Sequence, residues 1–374
     1  MQFRNRRRGE LETYAVLISH EIVGSNPTAS TKNEEYMEHK NGKKALVIGK
    51  FMPFHKGHKE LIEFASIHAT CVKILVLGNA DEPIDIKQRV QWIEDSFDLD
   101  YSLGSEFIVK PITYDPSKLN SSSASDVKSS QEWCDFLKDE LTDIDIIIGS
   151  EMYVKYMADY SNKEYLIFDL TRTKVPISAT QIKENPLKYW DYLTPAVKRS
   201  YAHHICICGT ESSGKTTLAT SLEKEFDYVT MIPEIGRCLV GNAITCELTT
   251  LTAVLSIHKT LLKRVIQNPP TPIVVWDTDN LTTKSYMEYL GWESYTSDLP
   301  IADIYFFLDS KIPYEKDVTR VDEEVAEKLK NNHLNIYKKE GVNLYVLKDK
   351  NNLMDSMKQY IKDTADNISS KLWN

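Results

Sequence analysis

The chain has 374 residues, of which 42% are hydrophobic and 26% are charged, and its formal net charge at pH 7 is −9. This length predicts two domains of ordinary size. The negative charge argues against a general nucleic-acid-binding protein, which needs a basic face, and no apolar run approaches the ~20 residues of a membrane span. We therefore expect a cytoplasmic protein without nucleic-acid or membrane partners. The sequence leaves its oligomeric state open, a homo-oligomer included.

The cysteines favour a reducing compartment. They are Cys71, Cys134, Cys206, Cys208, Cys238 and Cys246. None forms a CxxC pair, and Cys206 and Cys208 fall on one face of a predicted buried strand. This pattern favours reduced cytosolic thiols over a zinc site or a disulfide.

Residues 1–43 are predicted to be a disordered or spurious extension that belongs to neither domain. The stretch "EIVGSNPTAS" resembles conceptual translations that read through transfer-RNA genes, and in that case Met37 is the true start. The alternatives are a disordered basic tail and an Arg-rich targeting peptide. A secretory signal is not expected, because no apolar core follows the basic start.

Residues 44–185 are predicted to form a doubly wound α/β domain, because short apolar runs alternate with helical patterns. The strand candidates are "KALVIG", "VKILVLGN", "EFIVKPI", "DIDIIIGS" and "YLIFDL", and the helix candidates are "HKELIEFASIHA", "IKQRVQWIEDSF" and "SSQEWCDFLKDEL". Runs this rich in Ile, Val and Leu are typical of parallel strands buried on both faces. Ligands of such sheets bind at the carboxyl ends of the strands.

A linker over residues 186–202, which has no strand pattern, leads to a second domain of the same class at residues 203–374. Its strand candidates are "HHICICG", "YVTMIPE", "PIVVWDTD", "ADIYFFLD" and "NLYVLK". The longest helix is predicted from Glu247 to Asn268 and the last one from Asn351 to Ser370. The predicted fold class is therefore α/β, with two doubly wound parallel-sheet domains in tandem.

The stretch "GKFMPFHKGH", from Gly49 to His58, leaves the first strand and opens a helix. Helix N-termini offer unpaired N–H groups and the positive end of the helix dipole, both of which suit phosphate. His55 and His58 add imidazole donors at this place, and Gly57 allows close backbone approach. For this motif taken alone, a helix start with two surface histidines is the simpler alternative.

A second stretch, "PISATQIKENP", follows the fifth strand candidate and starts another helix. HxGH followed by ISxTxxR/K resembles the signature pair of the nucleotidyltransferase α/β phosphodiesterase superfamily. The resemblance implies adenylyl transfer from ATP, with His55 and His58 on the α- and β-phosphates. The ATP-binding set of this half is then Gly49, Lys50, Phe51, Gly57, Ser178, Thr180 and Lys183. The last motif residue is usually Arg, and the lysine found here keeps the charge but loses the fork geometry.

The stretch "GTESSGKTT" fits the P-loop pattern G-x-x-x-x-G-K-[ST] between a strand and a helix. The nucleotide-binding residues are predicted to be Gly209, Glu211, Ser212, Ser213, Gly214, Lys215, Thr216 and Thr217. In such a loop backbone N–H groups cradle the phosphates, Lys215 reaches the β/γ oxygens, and the Thr216 hydroxyl binds Mg²⁺. A Gly/Ser loop with an incidental lysine is the alternative.

Three further stretches complete the prediction for the second domain. "PIVVWDTDN" ends a strand in Asp277 and Asp279. Asp277 is placed to bind Mg²⁺ directly or through water, and either acid can accept the proton of a substrate hydroxyl. "PEIGR" brings Glu234 and Arg237 near the same edge, unless the two form a surface ion pair. "EKDVTR" is interpreted as a lid, with Arg320 closing on the transferred phosphate.

With both sites in this order, the chain resembles the NadR-like family, which joins nicotinamide-mononucleotide adenylyltransferase to ribosylnicotinamide kinase. The resemblance rests on "GKFMPFHKGH", "IKQRVQWI", "GSE", "ISATQIKENPLKYW", "GTESSGKTT", "PEIGR" and "DTDNLTT". It implies nicotinamide riboside, nicotinamide mononucleotide, ATP and NAD as ligands, Mg²⁺ as cofactor and ATP as co-substrate. The substrate contacts assigned on this basis are Arg89, Trp92, Trp133, Arg172, Glu234 and Arg237. For the two tryptophans a core position is the alternative, since that is the commoner role of a Trp at helical spacing.

Two other functions stay open at this point. In one, only half of the enzyme is active, or the transferase adenylylates another phosphate such as phosphopantetheine. In the other, the chain is a nucleotide-sensing regulator without catalysis, although the motif residues of both sites are intact. Some family members carry a helix-turn-helix repressor domain in front. Only about 43 residues precede the first strand here, without a helical pattern, so we expect no operator binding.

Overall fold

The computed structural model describes residues 42–97, 104–119, 126–210, 212–239, 247–292, 297–309, 323–348 and 352–372. All but the last two residues of the extension predicted at 1–43 lie outside these ranges. No helix within them is both long enough and apolar enough to cross a bilayer. Contacts divide the chain into unit 1, Met1–Phe51 with Gly57–Pro176, and unit 2, Met52–Lys56 with Ile177–Asn374.

The sheet of unit 1 agrees with the predicted strand alternation. Its strands are β1 (Lys44–Gly49), β2 (Cys71–Gly78), β3 (Glu106–Thr113), β4 (Ile146–Gly149) and β5 (Glu164–Ile167). Within the described residues they form a five-stranded parallel sheet in the order β3-β2-β1-β4-β5. Strands β1, β2 and β4 are largely buried, as their runs of Ile, Val and Leu predict. The chain order reverses beside β1, the kind of point where α/β sheets bind ligands.

The helices of unit 1 alternate with its strands. They are α1 (Lys56–His68), α2 (Ile86–Phe97), α3 (Val127–Phe136), α4 (Lys138–Leu141) and α5 (Tyr153–Ser161). Leu46 of β1 packs in one buried cluster with Trp133 of α3 and Met157 of α5. Helix α3 starts at a capping residue, Asp126, whose side chain accepts a 2.9 Å hydrogen bond from the Ser129 amide.

Unit 2 contains a second sheet of the same kind. Its strands are β6 (His203–Gly209), β7 (Val229–Ile232), β8 (Ile273–Asp277), β9 (Ile304–Leu308) and β10 (Leu344–Leu347). In the part of the chain that the structure describes, they form a five-stranded parallel sheet in the order β10-β9-β6-β8-β7. Strand β6 pairs with β8 on one side and β9 on the other, so the chain order reverses beside it. The two sheets confirm the predicted fold class.

Strand β6 buries two of the cysteines. Cys206 and Cys208 are fully buried in it, and the Cys208 thiol lies 3.6 Å from the Phe306 carbonyl oxygen. These two, with Cys71 and Cys134, are unbridged. Burial raises the pKa of Cys134 to about 11, which makes its thiol unreactive at neutral pH. The side chains of the other two cysteines lie outside the description, and the reduced state of the thiols stays a prediction.

The helices of unit 2 include both long helices that the sequence predicts. The helices are α6 (Ala179–Glu184), α7 (Pro195–Tyr201), α8 (Lys215–Glu225), α9 (Gly236–Leu239), α10 (Leu248–Gln267), α11 (Asn280–Tyr289), α12 (Glu323–Lys339) and α13 (Leu353–Lys371). The prediction for 247–268 corresponds to α10, and that for 351–370 corresponds to α13. Apolar residues at helical spacing therefore located these helices to within two residues at each end.

The segment predicted as a linker, 186–202, is folded against unit 2. It contains a 3₁₀ turn, Trp190–Tyr192, followed by α7. The indole N–H of Trp190 donates to the Pro269 carbonyl at 3.2 Å, and the Arg199 guanidinium donates to the Gln267 carbonyl at 3.2 Å. Because of such contacts, the division between the units falls after Pro176 rather than at residue 185.

Buried histidines make the stability of unit 2 sensitive to acid. His258 of α10 is 1% exposed, and its Nε2 has no hydrogen-bond partner among the described residues. Burial lowers the pKa of His258 to about 4, and it lowers the pKa of His333 in α12 to about 4 as well. Between that value and the ordinary pKa of about 6.5, the unfolded chain binds more protons than the folded one. Stability is therefore full above pH 6.5 and falls as the pH drops towards 4.

We predict that His258→Leu flattens this acid dependence. Between pH 7 and 4.5 the variant should lose about 2 kcal/mol less unfolding free energy than the wild type, because one such histidine no longer contributes. Urea unfolding of the full chain at a series of pH values measures the difference. Parallel stability curves for the two proteins over this range would contradict the prediction.

Candidate active sites

The loop after β6 has the backbone that a P-loop needs. Gly209 has a φ of +140°, and a Cβ atom there would lie 2.6 Å from the Leu308 carbonyl oxygen, so only glycine fits. Gly214 has a φ of +93° and immediately precedes α8, an 11-residue helix. The Ser213 hydroxyl donates to the Thr210 carbonyl at 2.9 Å and closes the turn. The loop thus delivers the chain to a helix N-terminus, where an anion is stabilised.

The motif lysine lies on this loop. Lys215 is the first residue of α8, is 8% exposed, and its ammonium group donates to the Thr210 carbonyl at 2.8 Å. Ser212, in the turn before it, has a φ of +60°, and Thr217 is an exposed residue of α8. Glu211 lies outside the described residues.

The P-loop threonine meets the end of a neighbouring strand. The Thr216 hydroxyl donates to Oδ2 of Asp277 at 2.6 Å, and Asp277 ends β8 with 1% exposure. Oxygen donors of these two kinds, with phosphate oxygens and water, are the ligands that Mg²⁺ prefers. No cluster of three or more metal-binding side chains occurs among the described residues. The oxygens that could hold Mg²⁺ at this place are those of Thr216 and Asp277.

A left-handed residue separates the two acids of "DTD". Thr278 has a φ of +70°, is 3% exposed, and donates its amide to the Ile207 carbonyl at 3.0 Å. A β-branched residue in this region is strained by roughly 1–3 kcal/mol. The strained turn carries the chain abruptly out of β8, so that Asp279 becomes the N-cap of α11.

Asp279 is enclosed and already saturated with donors. It is 0% exposed and accepts hydrogen bonds from the Thr282 amide at 3.1 Å, the Tyr305 hydroxyl at 3.1 Å and the Tyr337 hydroxyl at 3.2 Å. Burial raises the pKa of Asp279 to about 6, against the effect of these donors. The sequence left open which acid is the base, and this geometry favours Asp277.

Three other predicted residues of unit 2 are only partly described. Glu234 follows β7, and Gly236 two residues later is partly buried. The side chain of Arg237 and the whole lid prediction, with Arg320, lie outside the described residues.

In unit 1, two predicted site residues share one buried carboxylate. The Lys50 ammonium lies 2.9 Å from Oε1 of Glu82, and Nη2 of Arg89 lies 2.8 Å from its Oε2. Arg89 is 0% exposed, and its Nη1 also donates to the carbonyls of Lys50 at 2.9 Å and Leu77 at 3.0 Å. Burial is the largest single effect on Lys50 and lowers its pKa, but the hydrogen bonds and charges of Glu82 and Tyr114 together outweigh it, and the pKa ends above its ordinary value.

Sequence reasoning missed Glu82. It lies in the turn between β2 and α2, just past the carboxyl end of β2. Asn79 donates to Oε1 of Glu82 at 3.4 Å and to the Tyr114 hydroxyl at 3.1 Å, which extends the polar cluster. The signal that singled out Asp277, an acid where a strand ends, was present for Glu82 too.

Trp92 and Trp133 are core residues in this structure. Trp92 is 1% exposed on α2, and Trp133 is 5% exposed on α3, where its ring lies edge-on to Tyr114 at 5.0 Å. Both rings are enclosed by protein, so as placed they favour the core alternative over stacking on a substrate. Arg172, with a φ of +52°, lies 3.6 Å from the Glu151 carboxylate.

The residues of the HxGH motif are distributed between the two units. His58 belongs to unit 1, where its ring lies 5.1 Å from that of Phe51, while His55 belongs to unit 2. A Cβ atom on Gly49 would lie 3.1 Å from the Phe51 ring, so this glycine makes room for it. Gly57 lies in the first turn of α1.

The "ISAT" residues also belong to unit 2. The Ser178 hydroxyl accepts from the Gln181 amide at 3.2 Å, and the Gln181 side chain accepts from the Ser178 amide at 2.9 Å. This reciprocal pair is a capping box, which fixes the start of α6. Thr180 and Lys183 are exposed on that helix.

Comparison with known proteins gives three findings. The family profile "AAA domain" matches residues 204–353. The trifunctional NAD biosynthesis/regulator protein NadR of Escherichia coli K12 is 24% identical over 304 residues, 74% of this chain and 71% of its own. The predicted resemblance to NadR is confirmed. Crystal structures of NadR with NR, and with NAD and AMP-PNP, align at 18% and 16% identity with TM-scores of 0.48 and 0.47, covering 88% and 85% of this chain and 96% of each of theirs.

We predict that Glu82→Gln destabilises unit 1 by about 3 kcal/mol, because it leaves the buried Arg89 and the adjoining Lys50 without a counter-charge. The control is Glu132→Gln, which breaks a 3.9 Å surface pair with Lys128 and should cost less than about 0.5 kcal/mol. Chemical denaturation of the full-length variants measures both values. Equal, small losses would mean that the Glu82 cluster does not contribute as a buried ion pair.

Proposed function

We propose that the chain is a bifunctional enzyme of NAD biosynthesis. Unit 2 uses ATP to phosphorylate nicotinamide riboside, and the HxGH motif serves adenylyl transfer from ATP to nicotinamide mononucleotide, giving NAD and pyrophosphate. The kinase half is supported by the 2.6 Å contact between Thr216 and Asp277 beside Lys215. The joint assignment is supported by similarity to a NAD biosynthesis protein over 74% of the chain.

In the kinase half, the residues of the P-loop hold ATP while a strand-end acid serves the acceptor. Backbone N–H groups of the loop bind the phosphates, and the Lys215 ammonium moves from the Thr210 carbonyl to the β/γ oxygens. The 5′-hydroxyl oxygen of the riboside attacks the γ-phosphorus, the bond to the β–γ bridging oxygen breaks, and ADP leaves. Asp277 accepts the hydroxyl proton. Thr216 and Asp277 would hold Mg²⁺, and the ion would neutralise part of the charge of the phosphates when bound.

In the adenylyl-transfer half, a phosphate oxygen of the mononucleotide attacks the α-phosphorus of ATP, and pyrophosphate leaves. No proton and no covalent intermediate are required, so the residues act by positioning and charge stabilisation. His55 and His58 donate to the phosphate oxygens, Ser178 and Thr180 are hydroxyl donors, and Lys183 supplies a positive charge. The Lys50 ammonium neutralises part of the charge of the triphosphate. Its 2.9 Å ion pair with Glu82 keeps the lysine side chain in position before ATP binds.

The two activities should be separable by single substitutions. We predict that His58→Ala loses adenylyl transfer by about a hundredfold and keeps riboside phosphorylation, because the lost donor stabilises only one of the two transition states. Lys215→Ala should show the reverse. Chromatographic product assays on the wild type and both variants measure this.

Loss of both activities in either folded variant would contradict the division of labour. A wild type that binds NAD but converts neither riboside nor mononucleotide would indicate a nucleotide-sensing regulator instead.

The two acids of "DTD" should differ in their effect on phosphorylation. We predict that Asp277→Asn lowers the turnover of nicotinamide riboside about a thousandfold, since it removes a base and a metal ligand together. Asp279→Asn, the matched control two residues away in the same turn, should lower it by less than about tenfold, because the oxygens of Asp279 are engaged in capping α11. Steady-state rates of the purified variants decide between them, and a larger loss in the Asp279 variant would identify it as the base.

A further inference from the structure

A short piece of the HxGH loop is attached to unit 2. Residues Met52–Lys56 are grouped with that unit, and His55 forms an isolated antiparallel bridge with Leu193. Next to this bridge, the Thr194 hydroxyl donates to the Phe54 carbonyl at 3.4 Å. Phe54, Leu193 and Thr194 are each 0% exposed, and His55 is 5% exposed. The contact is therefore shielded from water on both sides.

The position of Thr194 in the chain makes this hydrogen bond unusual. Thr194 is the residue before α7, where a threonine side chain ordinarily caps the helix by accepting from a backbone amide. Within the described part of the chain, its hydroxyl makes no such bond to α7. It is directed instead to the carbonyl of Phe54, a residue 140 positions away in the sequence.

Leu193 and Thr194, the residues that contact the loop, are themselves held in place by hydrogen bonds. The Leu193 amide donates to the Trp190 carbonyl at 3.0 Å, and the Trp190 indole donates to the Pro269 carbonyl at 3.2 Å. On the other side, Pro195 opens α7 and the Lys198 amide donates to the Thr194 carbonyl at 2.9 Å. A hydroxyl fixed between a 3₁₀ turn and a helix can restrain a loop more strictly than one on a mobile segment.

We propose that Thr194 is a positioning residue for adenylyl transfer. Its hydroxyl fixes the Phe54 carbonyl, and through the next peptide bond it fixes the backbone that carries the His55 imidazole. The inference rests on the proposed adenylyl-transfer function. Displacements of about 1 Å at a reacting group cost up to a hundredfold in rate, so a loop anchored by one buried hydroxyl is sensitive to its loss. We call the hydrogen bond from Thr194 to Phe54 the anchor. Thr194 lies in the segment 186–202, which the sequence predicts to be only a linker.

Thr194→Val tests the anchor, since it keeps the shape of the side chain and removes the hydroxyl. Adenylyl transfer should fall about tenfold, mainly in kcat, and riboside phosphorylation should stay within about twofold. Thr194→Ser should restore the rate, because it restores the donor. The matched control is Thr260→Val in α10, which removes a 2.9 Å hydroxyl bond to the Ser256 carbonyl in the same unit and should change neither activity.

Hydrogen exchange of a peptide spanning residues 50–58 in the full-length protein gives a readout that does not need activity. Exchange should be faster in the Thr194→Val variant than in the wild type, the serine variant or the Thr260→Val control. Unchanged exchange would overturn the anchor whatever the rates are, and a parallel loss of both activities would assign Thr194 a general structural role. If the wild type transfers no adenylyl group, the proposed function fails and the exchange result alone reports on the anchor.

Discussion

The hydrogen bond between Thr216 and Asp277 joins the two turns on which the proposed kinase site of unit 2 depends. One turn follows β6 and the other follows β8, and the strands are neighbours in the sheet. Each turn requires a backbone conformation that most residues avoid: Gly209 because a Cβ would strike the Leu308 carbonyl, and Thr278 because its φ is positive. Strain in the second turn separates an acid that faces the P-loop threonine from an acid that is buried as a helix cap. The two carboxylates of one tripeptide thus acquire different chemistry from their surroundings.

Unit 1 arranges its charges differently. There the cations of Lys50 and Arg89 meet on a single buried carboxylate, Glu82, and Arg89 also satisfies two backbone carbonyls. Buried ion pairs are expensive to desolvate and contribute little net stability, but they hold their members in one geometry. In unit 2 the groups that we propose to bind phosphate are mainly backbone amides of the glycine loop, which need no counter-ion. Unit 1 therefore offers paired cationic side chains, and unit 2 offers backbone amides, to what we propose to be the same kind of ligand, a nucleoside triphosphate.

The HxGH loop shows that the backbone position of a short sequence motif depends on residues far away in the sequence. His55 and His58 are three residues apart, yet contacts group them with different units. The reason is that the loop around Phe54 and His55 pairs with Leu193 and Thr194, which are themselves fixed by the 3₁₀ turn and α7. A connecting segment can thereby help to support a loop that we propose to be catalytic.

The sequence by itself determined the fold class, the strand alternation, the long helices and the P-loop, because these features are written in short-range spacing of apolar residues, glycines and one lysine. It also indicated the relationship to NadR through the order of the two motifs. Only the tertiary structure gave Asp277 and Asp279 their different surroundings, enclosed Trp92 and Trp133 in the core, and joined Glu82 to Lys50 and Arg89. Those outcomes depend on burial and on contacts between elements that are far apart in the chain. A local sequence pattern does not predict which side chains of a helix or turn will contact another element.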